Sequence, residues 1–192
     1  MRHAGRLAPQ VGAQALLRAT RELAGNRFDE KTYWDAYHQS RQDQSDLRSV
    51  MARLFGVDRQ KLHERARPYL KYAADQLYPD VKPTLRELSR RYKLGLVANQ
   101  DENVLEALRR DGLIDYFDVL GLAKAAGAMK PDPRIWQYAL HQAGVDPSRA
   151  VHIGNRLDSD VRPAKGLGMR TIWLLRGEAP SSPSVEQLGE PD

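Results

Sequence analysis

Lys130, Asn155, Asp158 and Asp160 are the residues of this 192-residue chain whose types and spacing could do chemistry together. Lys130 stands in "GAMKPDPRIW", behind a small-residue loop and fixed by Pro131 and Pro133 at the start of a helix. A lysine at the mouth of a parallel sheet can offset the charge on a phosphoryl group. Taken alone, a solvated loop lysine is the simpler reading. The stretch "VHIGNRLDSD", Val151 to Asp160, is an apolar run ended by Gly154 and followed by a polar turn with two aspartates. Asp158 and Asp160 could bind a hard cation, since magnesium takes one or two protein carboxylates plus water. Taken alone, helix capping explains them better, because acids at a helix start face free amides and the positive end of the dipole. The first polar position after the glycine is an amide, Asn155, where a metal site would want a carboxylate. Asn99, after the run "KLGLVA", could hydrogen-bond a ligand, although asparagine there is also ordinary turn chemistry. His152 lies inside the apolar run and reads as a buried, hydrogen-bonded histidine, while His38, His63 and His141 have no ligand spacing.

The elements that position these residues follow from periodicity. Residues 1–77 read as helices only: 9–24, 30–42, about 46–55 and 58–77, with a kink or break expected at Pro68. Tyr33, Trp34 and Tyr37 share one helical face and read as packing. After "LYPDVKP" the pattern changes. Strands are expected at 93–98, 117–123, 150–154 and 171–175, with helices at 102–110 and 133–143 and a short helical turn in "DVRPAKGLG". Strand–helix alternation without hairpin signals means a parallel sheet covered by helices. Ligands of such sheets sit beyond the carboxyl ends of the strands. That is where Asn99, Lys130, Asn155 and Asp160 fall. The last stretch, 177–192, is rich in Pro, Ser and Gly and is expected to be a flexible tail.

Composition narrows the classes. Hydrophobic content of 41% and charged content of 29% suit a globular chain. The absence of cysteine excludes disulfides, thiolate metal sites and cysteine nucleophiles, and is compatible with the cytoplasm. The net charge of +5 comes from 30 basic and 25 acidic residues spread along the chain. No aromatic ladder accompanies the basic run Arg90 to Lys93, so neither nucleic acid nor membrane is expected as a partner.

The segments "LYPDVKPTLRELSRRYKLGLVANQ", "FDVLGLAKAAGAMKPDPRIWQYALHQAGVDPSRAVHIGN" and "RLDSDVRPAKGLGMRTIWL" together resemble the haloacid dehalogenase (HAD) superfamily of hydrolases, in order and spacing over about residues 77–176. The resemblance implies an α/β fold, a Rossmann-like parallel sheet covered by helices, with residues 1–77 as an N-terminal helical cap and 78–176 as the core. It also implies four active-site elements: an Asp-x-Asp turn, a Ser or Thr, a lysine, and a Gly-Asp turn with a second Asp for magnesium. Here the lysine is Lys130, as catalytic and substrate-binding residue. The second metal acid is Asp160, and the first is replaced by Asn155. The Ser/Thr position is Ala98, beside Asn99 on the substrate side. A methyl cannot donate, and a lost hydrogen bond to a charged partner is worth roughly 1.5–3 kcal/mol. Magnesium binding is therefore expected to be weak or lost.

No apolar strand ending in Asp-x-Asp precedes the helical part, so the central first strand of the family's sheet is expected to be absent. Three explanations follow: a start upstream of Met1, direct pairing of the flanking strands, or a strand from a partner chain. Three functions follow in turn. The first is a degenerate family member that still takes a small phosphorylated molecule at Lys130. The second is an active magnesium-dependent phosphohydrolase, or a metal-independent dehalogenase, whose nucleophile strand lies outside this sequence. The third is a non-enzymatic partner-binding module, for which a homo-oligomer stays open.

Overall fold

A computed structural model describes residues 9–70, 77–100 and 102–192. The chain divides into two units. The first contains residues 1–71 and 174–188, and the second contains 72–173 and 189–192.

The first unit is helical. Its elements are α1 (Pro9–Ala24), α2 (Glu30–Asp43), α3 (Leu47–Phe55) and α4 (Arg59–Ala66). Three of the four starts are written in the sequence as capping aspartates. Asp29, Asp46 and Asp58 accept from the amides of Thr32, Arg48 and Lys61. Gly56 ends α3 at φ 63°, a conformation that costs glycine nothing. The helix expected over 58–77 stops at Ala66. Pro68 sits in a 3-10 turn, Arg67–Tyr69, because its ring and missing N–H cannot continue the ladder. Residues 71–76 of that expected helix lie outside the described residues.

Leu16, Leu17, Tyr33, Tyr37, Met51, Phe55 and Leu62 form the core of this unit. Trp34 packs against that core and meets Tyr33 and Tyr37 edge-on, so the aromatic face of α2 is packing. The Tyr33 hydroxyl is buried and donates to the Ala13 carbonyl at 2.7 Å. Tyr33→Phe leaves that carbonyl without its donor and is expected to cost about 1 kcal/mol in urea unfolding.

The expected tail, 177–192, is divided between the two units. Arg41 Nη2 donates to the carbonyls of Gly177 and Ala179 at 2.8 and 2.6 Å, and Gln187 Nε2 donates to the Gln42 carbonyl. Residues 185–188 form a short helix, α10 (Val185–Leu188). In the second unit, Glu190 pairs with Arg162 and Asp192 accepts from the Thr171 amide. These bonds depend on distant partners, which composition does not reveal.

The second unit holds α5 (Val81–Ser89), β1 (Gly95–Ala98), α6 (Asn103–Arg110), β2 (Val119–Leu122), α7 (Ala123–Ala126), α8 (Arg134–Ala143), β3 (Val151–Gly154), α9 (Arg162–Gly166) and β4 (Arg170–Trp173). The strands are parallel and alternate with helices, as their sequence pattern requires. Helix α5 is absent from the elements expected from the sequence, and Pro83 stands inside it. It lies in the first turn of the helix, where the N–H it lacks has no intrahelical partner anyway.

The strands form two pairs, β1 with β2 and β3 with β4. Direct pairing of β1 with β3 is not what the structure shows. Helix α8 turns Ile135, Trp136 and Ala139 inward and packs against both β1 and β2. Its Trp136 also meets His152 of β3 edge-on. Among the described residues, no helix is long and apolar enough to cross a membrane.

Candidate active site

The carboxyl ends of β1 and β3 are joined through Lys130. Asn99 follows β1 and uses both ends of its side-chain amide on the Lys130 backbone. Its Nδ2 donates to the Lys130 carbonyl at 2.9 Å, and its Oδ1 accepts from the Lys130 amide at 2.5 Å. Asn99 thus fixes the loop that carries the lysine. The Lys130–Pro131 peptide is cis.

From that loop, Lys130 Nζ reaches Asp160 Oδ1 at 2.5 Å. Asp160 stands in a wide, π-type turn, Leu157–Val161, that follows β3. Asp160 is buried and Lys130 partly so, with the side chains 5% and 17% exposed, and solvent screens the pair little. The other carboxylate oxygen of Asp160 accepts from the amides of Asn155 and Arg156 at 3.1 and 3.0 Å. Both amides precede Asp160, so its carboxylate folds back on the turn and does not cap the helix that follows, contrary to the capping expected from the sequence.

Behind the pair lies His152. Its Nδ1 accepts from Trp136 Nε1 at 3.2 Å, so the neutral ring carries its proton on Nε2. That nitrogen lies 3.7 Å from Asp160 Oδ1, beyond hydrogen-bond range. Burial works to raise the Asp160 pKa. The adjacent His152 ring and the Lys130 ammonium outweigh it and hold the carboxyl well below the usual carboxylate range. Gly154 makes the turn possible. A Cβ at that position would stand 2.6 Å from Asp160 Cγ and 2.8 Å from its Oδ2.

Asp158 does not join this cluster. Arg156 grips it in a two-point pair, Nε to Oδ1 at 2.9 Å and Nη2 to Oδ2 at 2.7 Å. Asn155 lies beside Asp160 and offers its carbonyl to Trp173 Nε1 at 3.1 Å. Ala98 closes β1 opposite Leu122 and presents a methyl. The sequence reading missed Trp136 and the close approach of Gly154 to Asp160. The signal for the first was a tryptophan on the helix before a strand histidine.

Magnesium does not fit these donors as arranged. Asp160 is neutralised by an ammonium at 2.5 Å, Asp158 is held by Arg156, and Asn155 carries no charge. Among the described residues, no group of three or more His, Asp or Glu side chains is placed to hold a metal.

A model of the haloacid dehalogenase-like hydrolases matches residues 8–168. The chain belongs to this family. It is 36% identical over 126 residues to haloacid dehalogenase-like hydrolase domain-containing protein 3 of Bos taurus, covering 59% of this chain and 50% of that one. It is 38% identical over 110 residues to a glyceraldehyde 3-phosphate phosphatase of Methanopyrus kandleri, covering 56% and 47%. The chain spans about half the length of these curated relatives. Among solved structures it resembles a HAD phosphatase from Thermococcus onnurineus, with a TM-score of 0.58 and 27% identity over 96% of this chain and 86% of that one. A β-phosphoglucomutase from Clostridium difficile shares the fold at a TM-score of 0.64, with 16% identity over 94% and 82% of the two chains.

Proposed function

We propose that this chain keeps a phosphoryl-binding position at Lys130 on a HAD-like fold but does not hydrolyse phosphate esters by itself. The observation that carries the reading is the buried Lys130–Asp160 pair at 2.5 Å. Each partner cancels the charge that the other would bring to a reaction. An incoming phosphoryl group must compete with Asp160 for the ammonium, and a cation must compete with the ammonium for Asp160.

Two neighbours weaken the site further. Ala98 offers no hydroxyl to a phosphoryl oxygen, and Asn155 brings no charge to a metal. The glyceraldehyde 3-phosphate phosphatase of Methanopyrus kandleri and a phosphoserine phosphatase of Thermus thermophilus, 36% identical over 111 residues, support a small phosphorylated molecule as the class of ligand.

The test is phosphate release from p-nitrophenyl phosphate by the purified chain in the presence of magnesium. The expected rate is that of Lys130→Ala, which serves as background. Asn155→Asp is expected to stay at the same background, because it restores one metal donor and nothing else. Magnesium-dependent release that disappears in Lys130→Ala would overturn the reading.

A further inference from the structure

One oxygen of Asp160 has two neighbours of donor character. Its Oδ1 lies 2.5 Å from Lys130 Nζ and 3.7 Å from His152 Nε2. Its Oδ2 is held separately, by the amides of Asn155 and Arg156 at 3.1 and 3.0 Å. All of these groups belong to the second unit.

The state of His152 is fixed from its far side. Trp136 of α8 is 1% exposed, and its indole N–H donates to His152 Nδ1 at 3.2 Å. An indole nitrogen only donates, so Nδ1 stays a bare acceptor and the ring stays neutral. The single ring proton is therefore on Nε2. Among the described residues, that nitrogen is buried and has no hydrogen-bond partner. Folded chains satisfy nearly all such groups, so this one calls for a reason. A bridging water is not the reason, because its two bonds would span roughly 4.5 Å. Only 3.7 Å separates Nε2 from Oδ1. The acceptor nearest to hand is one that Lys130 already holds.

We propose that His152 is the reserve partner of Asp160, taking over its Oδ1 when a phosphate group draws the Lys130 ammonium away. Oδ2 stays on its two amides and acts as the pivot. Closing from 3.7 Å to a bond of about 2.9 Å is a shift of about 0.8 Å. No proton moves: the carboxylate keeps its charge and exchanges an ammonium for a neutral donor. A neutral donor replaces only part of the attraction, so the ion pair remains the resting state. His152 touches no phosphate. It is a positioning residue that acts through Asp160 and makes Lys130 easier to release. The inference rests on the reading of Lys130 as a phosphoryl-binding position.

The test follows the His152 Nε2–H by proton NMR on the full chain at pH 7. Inorganic phosphate is the probe, with EDTA present to exclude metals. The signal is assigned by its loss in His152→Phe. Phosphate is expected to move it downfield, as an N–H moves when it gains a carboxylate acceptor. Lys130→Met without phosphate is expected to move it the same way, because the competing ammonium is gone. In calorimetry, His152→Phe should weaken phosphate binding at least about tenfold. His152→Gln keeps a donor for Asp160 and an acceptor for Trp136, and should bind within about threefold of the wild type. A residue that only fills space would not show that rescue. The inference is overturned by a signal that stays in place in Lys130→Met, or by phosphate binding that leaves it unmoved. Equal phosphate affinities in the Phe and Gln variants would overturn it as well. If Lys130→Met moves the signal but the wild type takes up no phosphate, the exchange of partners is upheld and the phosphoryl-binding reading of Lys130 falls. The wild-type titration needs no variant, so poor folding of Lys130→Met cannot imitate its result.

Discussion

Asp160→Asn is expected to destabilise the chain by about 3–5 kcal/mol in urea unfolding at pH 7. The substitution keeps an oxygen for the amides of Asn155 and Arg156 but removes the charge opposite Lys130. The ammonium then sits buried without its counter-ion, and breaking a buried pair on one side costs on that order. The effect has a pH signature. Asp160 titrates well below its ordinary value of 3.8 in the folded chain. A depressed folded pKa contributes stability that is present above the unfolded pKa and is lost as pH falls through the folded one. The wild type should therefore lose stability on acidification below about pH 4. The variant should lack that part of the slope. Parallel stability–pH curves for the two proteins would show that the carboxylate is not the group held ionised by its surroundings.

Gly154→Ala is the second large effect, expected at about 3 kcal/mol or more. The added methyl would meet the Asp160 carboxylate carbon at 2.6 Å, well inside contact distance. Overpacking a tight site costs typically about 1–3 kcal/mol. Here the atom that must yield belongs to the ion pair, so relief of the clash lengthens the Lys130 contact as well. The two costs share one cause and should not add independently. In an Asp160→Gly background the obstructing side chain is gone, and Gly154→Ala should then cost less than about 1 kcal/mol. If the alanine is equally harmful in that background, the reason for glycine lies in the backbone and not in Asp160.

Much of the site was legible in the sequence, and the illegible part has a physical reason. Lys130 and Asp160 could each be read from local context, one from the lysine–proline loop and the other from the turn after a glycine-ended strand. Their pairing could not be read. They are 30 residues apart, and whether they meet depends on how far β1 stands from β3. Asp158 had the right charge for a metal turn, but its fate rests on Arg156 only two residues away, and sequence does not give the rotamer that brings them together. Asn99 looked like a ligand donor because asparagine at a strand end can face either way. In the fold its amide matches one donor and one acceptor of the Lys130 backbone.

The fold shows the same division. Alternation gave the four strands within a few residues of their ends. The break at Pro68 followed from the missing N–H. Helix α5 was not expected; its proline lies in the first turn, where the N–H it lacks would have no intrahelical partner. The segregation of the strands into two pairs is a matter of lateral order, which no single strand's pattern encodes. That lateral order lets Lys130 close on Asp160.

The central claim is that Lys130 and Asp160 neutralise each other inside the fold. A double-mutant cycle of Lys130→Met and Asp160→Asn tests it most directly, by urea unfolding at pH 7. Each single variant strands one buried charge or polar group, whereas the double variant strands neither. The predicted result is a double variant less destabilised than the sum of the singles by about 2–3 kcal/mol. Additivity within about 0.5 kcal/mol would contradict the account and leave the lysine free for a substrate.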